Sequence, residues 1–124
     1  MPGPLSVEER IAHFEQMTQR FPDQALPWFS LGQVLLEAKR NEEAAAALRR
    51  LLTVAPDHTV GHLLLGTALR AIGRLDEATQ VLMAGLAVGA RRRELPPARR
   101  IRKELLSIAR EQGLPPPQLP SLDE

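Results

Sequence analysis

The sequence repeats itself at an interval of 34 residues, and this interval limits the possible folds more than any other feature. Residues 25–58 align with residues 59–92 without a gap. Nine pairs are identical: Leu31/Leu65, Gly32/Gly66, Leu35/Leu69, Arg40/Arg74, Glu43/Glu77, Ala44/Ala78, Leu48/Leu82, Leu52/Leu86 and Val54/Val88. Chance at this composition gives about three. Glu42/Asp76 keeps an acid at a further position. Agreement at a fixed period means that one structural unit is used twice.

The spacing within each copy says what the unit is. Leu31, Leu35 and Ala38 fall on one helical stripe, as do Leu65, Leu69 and Ile72. A polar break follows at Lys39-Arg40-Asn41 and at Gly73-Arg74. A second stripe then runs through Ala44, Leu48, Leu51 and Leu52, or through Ala78, Leu82 and Leu86. Each copy is therefore a helix–turn–helix. Gly32 and Gly66 sit in mid-helix, where Gly costs about 1 kcal/mol against Ala. A cost repeated at the same phase implies close helix approach, with Ala44 and Ala78 as the expected small partners.

Composition supports this reading. The 124 residues fit one domain and include 21 Leu and 16 Ala, both helix formers. There is no Cys, hence no disulfide framework and no thiolate chemistry. An all-β fold is excluded in practice by the scarcity of β-formers.

A 34-residue helix pair carrying Trp28-x-x-Leu31-Gly32, Ala44, Leu48 and Pro56 resembles the tetratricopeptide repeat family. The second copy, His62-x-x-Leu65-Gly66 with Ala78 and Leu82, shares the small positions. It departs at the first aromatic (His62) and at the closing proline (Ala90), and both copies carry Leu35 or Leu69 where the family often has Tyr. The resemblance implies an all-α, right-handed helix–turn–helix solenoid.

The flanks extend the pattern to six helices. Ser6-Val-Glu-Glu9 is a capping-box sequence followed by Ile11, Phe14, Met17 and Phe21. Its ending, Phe21-Pro22-Asp23, parallels Ala55-Pro56-Asp57, so this stretch resembles the second helix of a repeat whose first helix is missing. Downstream, Leu95-Pro96-Pro97 opens another helix with the stripe Ile101, Leu105, Ile108 and Ala109, closed by Gly113. The expected organisation is a flexible start over 1–5 and one domain over 6–112. Within it lie a half-repeat 6–24, repeats 25–58 and 59–92, and a capping helix 97–112. A Pro-rich extended tail follows over 113–124.

In the family the first helix of each repeat lines a concave groove that takes peptides or helices. Carried onto this sequence, the groove positions are Leu26, Phe29, Gln33, Leu36 and Glu37, then Val60, Leu63, Thr67, Arg70 and Ala71. Phe29, Leu36, Val60 and Leu63 would supply apolar area, with Gln33, Thr67 and Arg70 reading polar groups. Cover by the capping helix or by the tail, which carries Leu119 and Leu122, is the competing expectation. The repeats that clamp chaperone tails use Lys and Asn at positions that here hold Phe29, Gln33 and Leu64, so chaperone tails are not the expected ligand.

Charge is concentrated late in the chain. Residues 91–110 hold eight bases and two acids, against a whole-chain net charge of +1. The block Arg91, Arg92, Arg93, Arg99, Arg100, Arg102 and Lys103 reads first as the polar outer face of a solenoid cap. Arg99 and Lys103, four residues apart, are candidate contacts for an acidic partner. Nucleic acid is disfavoured, since no aromatic interrupts the block.

Other chemistry is thin. His58 and His62 share a helix face without a third placed ligand, so no metal is expected. No phosphate loop, nucleophile elbow or triad setting occurs, and Glu42-Glu43 and Asp76-Glu77 suit helix N-termini rather than catalysis. No signal peptide or membrane span is apparent. The expectation is a non-catalytic cytoplasmic adaptor for a protein or peptide, with no cofactor. A self-associating module, or an acidic-partner or nucleic-acid binder through 91–103, is the alternative.

Overall fold

The computed structural model describes residues 3–122. Residues 1–2 of the expected flexible start and residues 123–124 of the expected tail lie outside the described residues. Among those described there are six helices and no strand: α1 (Val7–Arg20), α2 (Ala25–Glu37), α3 (Asn41–Val54), α4 (Thr59–Ala71), α5 (Leu75–Arg91) and α6 (Leu95–Glu111). The fold is the all-α helical solenoid that the repeat predicts.

The helix ends follow from local chemistry. At α1 the Glu9 N–H donates to Ser6 Oγ and the Ser6 N–H donates back to Glu9 Oε1, both at 3.1 Å, which completes the capping box. α6 begins at Leu95, two residues before the expected start. Pro96 and Pro97 occupy first-turn positions whose N–H groups would have no helical acceptor. Four of the helices end alike. Arg40 N–H reaches Leu35 O, Arg74 N–H reaches Leu69 O, Glu94 N–H reaches Gly89 O and Leu114 N–H reaches Ala109 O, each at 2.9 Å, across a residue with positive φ.

Each helix packs on its neighbours in sequence, and α4 also touches both α2 and α6, so that these three form a second row. The core lies between the two rows. Leu48, Leu51, Leu69, Leu82 and Leu86 are fully buried there. Each is worth roughly 1.5–3 kcal/mol of apolar burial. The mid-helix glycines are explained by this packing, with Leu48 and Leu82 as their nearest neighbours. A Cβ on Gly32 would stand 2.5 Å from Leu48 Cδ2, and one on Gly66 would run into Leu82. In the second copy His62 takes the place of Trp28, and its Cβ fills the space opposite Gly85, where the first copy has Leu51.

The described part of the tail, residues 113–122, lies along the fold with most of its residues exposed on one side. It folds back over the flank of α5 and α6, where Leu114, Pro115 and Pro117 face Thr79, Leu105, Ile108 and Ala109 around a small cavity of about 100 Å³. Leu122 is only 4% exposed and belongs to the hydrophobic core, with Leu119 packed against it.

Candidate concave binding face

The second row gives the groove its geometry. Equal positions in α2, α4 and α6 form three rungs, counted from each helix start. The fifth residues are Phe29, Leu63 and Arg99. The ninth are Gln33, Thr67 and Lys103. The twelfth are Leu36, Arg70 and Leu106. Arg99 and Lys103 thus stand on the same rungs as the expected groove residues of the two repeats.

Exposure divides the set. Gln33, Thr67, Arg99 and Lys103 are exposed, and Phe29, Leu36 and Val60 are half-buried. Leu26 is 71% exposed, a large apolar side chain left open to solvent. Leu63 is different, at 5% exposure. α4 is flanked by both α2 and α6, so its fifth position sinks between them, while the outer helices leave theirs half-buried (Phe29) or exposed (Arg99). Leu63 belongs to the floor that supports the face rather than to the face itself.

Arg70 is engaged within the molecule. It donates to Glu104 at 2.7 Å, to Ser107 at 2.9 Å and to Glu111 at 2.9 Å, all on α6. Its guanidinium is held above its ordinary pKa, chiefly by the hydrogen bond to Glu104. The expected reading residue is therefore a clamp that fixes α6 beside α4. Its partners lie 34 to 41 residues away in sequence, beyond the reach of local pattern.

Phe29 rests on the His58 ring, with centroids 4.9 Å apart and planes at 33°. His58 caps α4, its Nδ1 accepting the Gly61 N–H at 2.9 Å. Burial pushes the His58 pKa below its ordinary value. His62 is buried, and its Nδ1 donates to the His58 carbonyl at 2.9 Å. Both Nδ1 atoms are thus spent on structure, and the described residues contain no cluster of three or more metal-ligating side chains.

A cavity of about 450 Å³ is lined by Arg10 and Phe14 of α1, by Ser30, Gln33, Val34, Leu36 and Glu37 of α2, and by Leu64 of α4. The expected groove positions Gln33, Leu36 and Glu37 thus share it with α1, whose part in this face the sequence reading missed. Arg10 and Glu37 pair across it at 2.7 Å, which holds the Glu37 carboxyl below its ordinary pKa. The other aromatics serve packing. Trp28 donates Nε1–H to the Pro22 carbonyl at 2.9 Å beneath the Arg50 guanidinium.

The basic block is split by the fold. Arg91 pairs with Asp57 at 3.2 Å and Arg92 with Glu94 at 2.5 Å, near the α5–α6 turn. Arg99, Arg102, Lys103 and Arg110 instead line a cavity of about 290 Å³ along α6, with Leu106 and Ser107. No described helix is long and apolar enough to cross a membrane.

A comparison with curated proteins found no match. The tetratricopeptide repeat family matches over residues 11–59 and 35–95, which takes in most of α1 and all of α2 through α5. With the 34-residue helix pair, the glycine contacts and the two-row packing in view, the chain belongs to the tetratricopeptide repeat family.

Proposed function

We propose that this chain is a non-catalytic adaptor that binds a peptide or helix of a partner protein across the concave face of α2, α4 and α6. Tetratricopeptide repeats generally mediate protein–protein interaction, and such repeats are typically non-catalytic. The observation that carries the reading is the graded set of rungs. Apolar area (Leu26, Phe29, Leu36, Val60) lies over α2 and the start of α4. Polar groups (Gln33, Thr67) follow, and bases (Arg99, Lys103) stand over α6. Such a face suits a segment with an apolar part and an acidic part, lying in one direction only. The scaffold is ordered before binding, so little of the binding free energy is spent on arranging it. Leu63 and Arg70 act from below, one as floor and one as the tie between α4 and α6.

The test is selection of peptides from a displayed library, followed by affinity measurement on the enriched sequences. Phe29→Glu is expected to weaken the selected peptides by more than ~10-fold, or about 1.4 kcal/mol. Helical circular dichroism should stay intact. Unchanged affinity in a folded Phe29→Glu protein would remove this face as the binding site.

A further inference from the structure

Two of the four apolar residues assigned to the concave face, Phe29 and Val60, depend on one imidazole. The Phe29 ring rests on the His58 ring, with centroids 4.9 Å apart. Val60 lies in the first turn of α4, and His58 caps that turn, its Nδ1 accepting the Gly61 N–H at 2.9 Å. Of the three helices in the concave row, only α4 has its N-terminus capped by a side chain. That side chain can take up a proton near neutral pH.

The cap fixes the tautomer. With the Nδ1 lone pair committed to Gly61, the neutral ring carries its proton on Nε2. A second proton has only Nδ1 to go to, where it would set N–H against N–H. Protonation therefore breaks the cap and leaves the Gly61 N–H without its acceptor. The ring must then turn from the position on which Phe29 rests.

We propose that His58 is a proton-operated switch of the concave face, which seats Phe29 and the first turn of α4 while neutral and releases them, together with the bound peptide, when charged. The switch rests on the adaptor reading only for its ligand. The coupling of His58 to Phe29 and Val60 stands on contacts within the chain.

The surroundings suit this role. Burial pushes the His58 pKa below its ordinary 6.5, so the ring is neutral at pH 7 and charges only as the medium turns acidic. Glu94 favours the charged form, while His62 and Arg92 oppose it. Arg92 is paired with Glu94, and the adjacent Asp57 with Arg91. α2 carries a single charged side chain, Glu37, which is bound to Arg10. In the second half of α3, Arg49 pairs with Glu77 and Arg50 stands over Trp28. Linkage then gives the sign. A peptide that needs the neutral ring must weaken proton binding at His58, and acid must weaken the peptide by the same factor.

The first arm of the test uses the isotope-labelled chain without ligand, followed by NMR as the pH is lowered. We expect cross-relaxation between the Phe29 and His58 rings to vanish as His58 charges, and the Val60 and Gly61 amides to shift with the same midpoint. In His58→Asn, which keeps a cap acceptor that does not titrate, those amides should stay in place. His58→Ser serves equally where Asn disturbs the fold. Rings that stay in contact with His58 fully charged, or amides that move alike in the variant, overturn the switch. The second arm uses a library-selected peptide whose binding is lost in Phe29→Glu. Between about pH 7.5 and about pH 5 its affinity should fall at least ~3-fold more for the native chain than for His58→Asn, and the His58 midpoint should drop in its complex. Equal losses in the two proteins overturn the release of ligand. Peptides that bind regardless of Phe29→Glu would overturn the adaptor reading instead, while the ring contacts still decide the coupling.

Discussion

Lys39 shows how a single residue can be placed by the repeat and still be a poor fit to its place. It closes α2 with φ of 63°, while the second copy uses Gly73, with φ of 81°, at the same point. A left-handed conformation costs an ordinary residue roughly 1–2 kcal/mol, and Gly escapes this cost. Lys39 is exposed and makes no ion pair in the helix-ending motif. Lys39→Gly should therefore raise the unfolding free energy by about 1 kcal/mol, read from the urea midpoint at constant slope. His58 makes a different demand. Its Nδ1 must stay unprotonated to accept the Gly61 N–H, and its folded pKa lies below the ordinary value because of burial. A base with a depressed folded pKa contributes full stability above its unfolded pKa of about 6.5 and loses it as pH falls below that value. The melting temperature should fall between pH 7 and pH 5. His58→Asn keeps a cap acceptor that does not titrate, so that part of the fall should vanish.

At the scale of elements, α6 and the tail show what the sequence makes legible and what it does not. The α6 stripe Ile101, Leu105, Ile108 and Ala109 can be read from spacing alone, and all four residues are buried. The capping box at Ser6 and the close approach at Gly32 and Gly66 can also be read, because each depends on residues near in sequence. The role of Arg70 is hidden, since its partners come from a helix one repeat later. Leu63 is misjudged for a related reason: the depth of a groove position depends on whether helices flank it on both sides. The tail is partly legible. Leu119 and Leu122 suggest docking, and Leu122 is buried in the core with Leu119 packed against that core, while Leu114, Pro115 and Pro117 face the flank of α5 and α6. An apolar side chain as buried as Leu122 is worth roughly 2 kcal/mol. Leu122→Asp should lower the unfolding free energy by about that amount and raise amide exchange in the second half of α6. An unchanged denaturation midpoint would mean that the tail contributes nothing to the fold.

For the whole molecule, the repeat decides the packing and carries the proposed function. Two full helix pairs, a half-repeat before them and a lone first-type helix after them bury one continuous core. The same arrangement leaves three helices side by side with their fifth, ninth and twelfth residues in register. That register is the basis of the proposed adaptor function, and it predicts where a ligand must lie. Backbone amide shifts of the isotope-labelled chain, followed by NMR during titration with a library-selected peptide, test this most directly. The account predicts shifts clustered at Phe29, Gln33, Leu36, Thr67 and Lys103, with Arg49, Arg50 and Thr53 of α3 unmoved. Shifts centred on α3 and α5, or on the tail at Leu119 and Leu122, would contradict it.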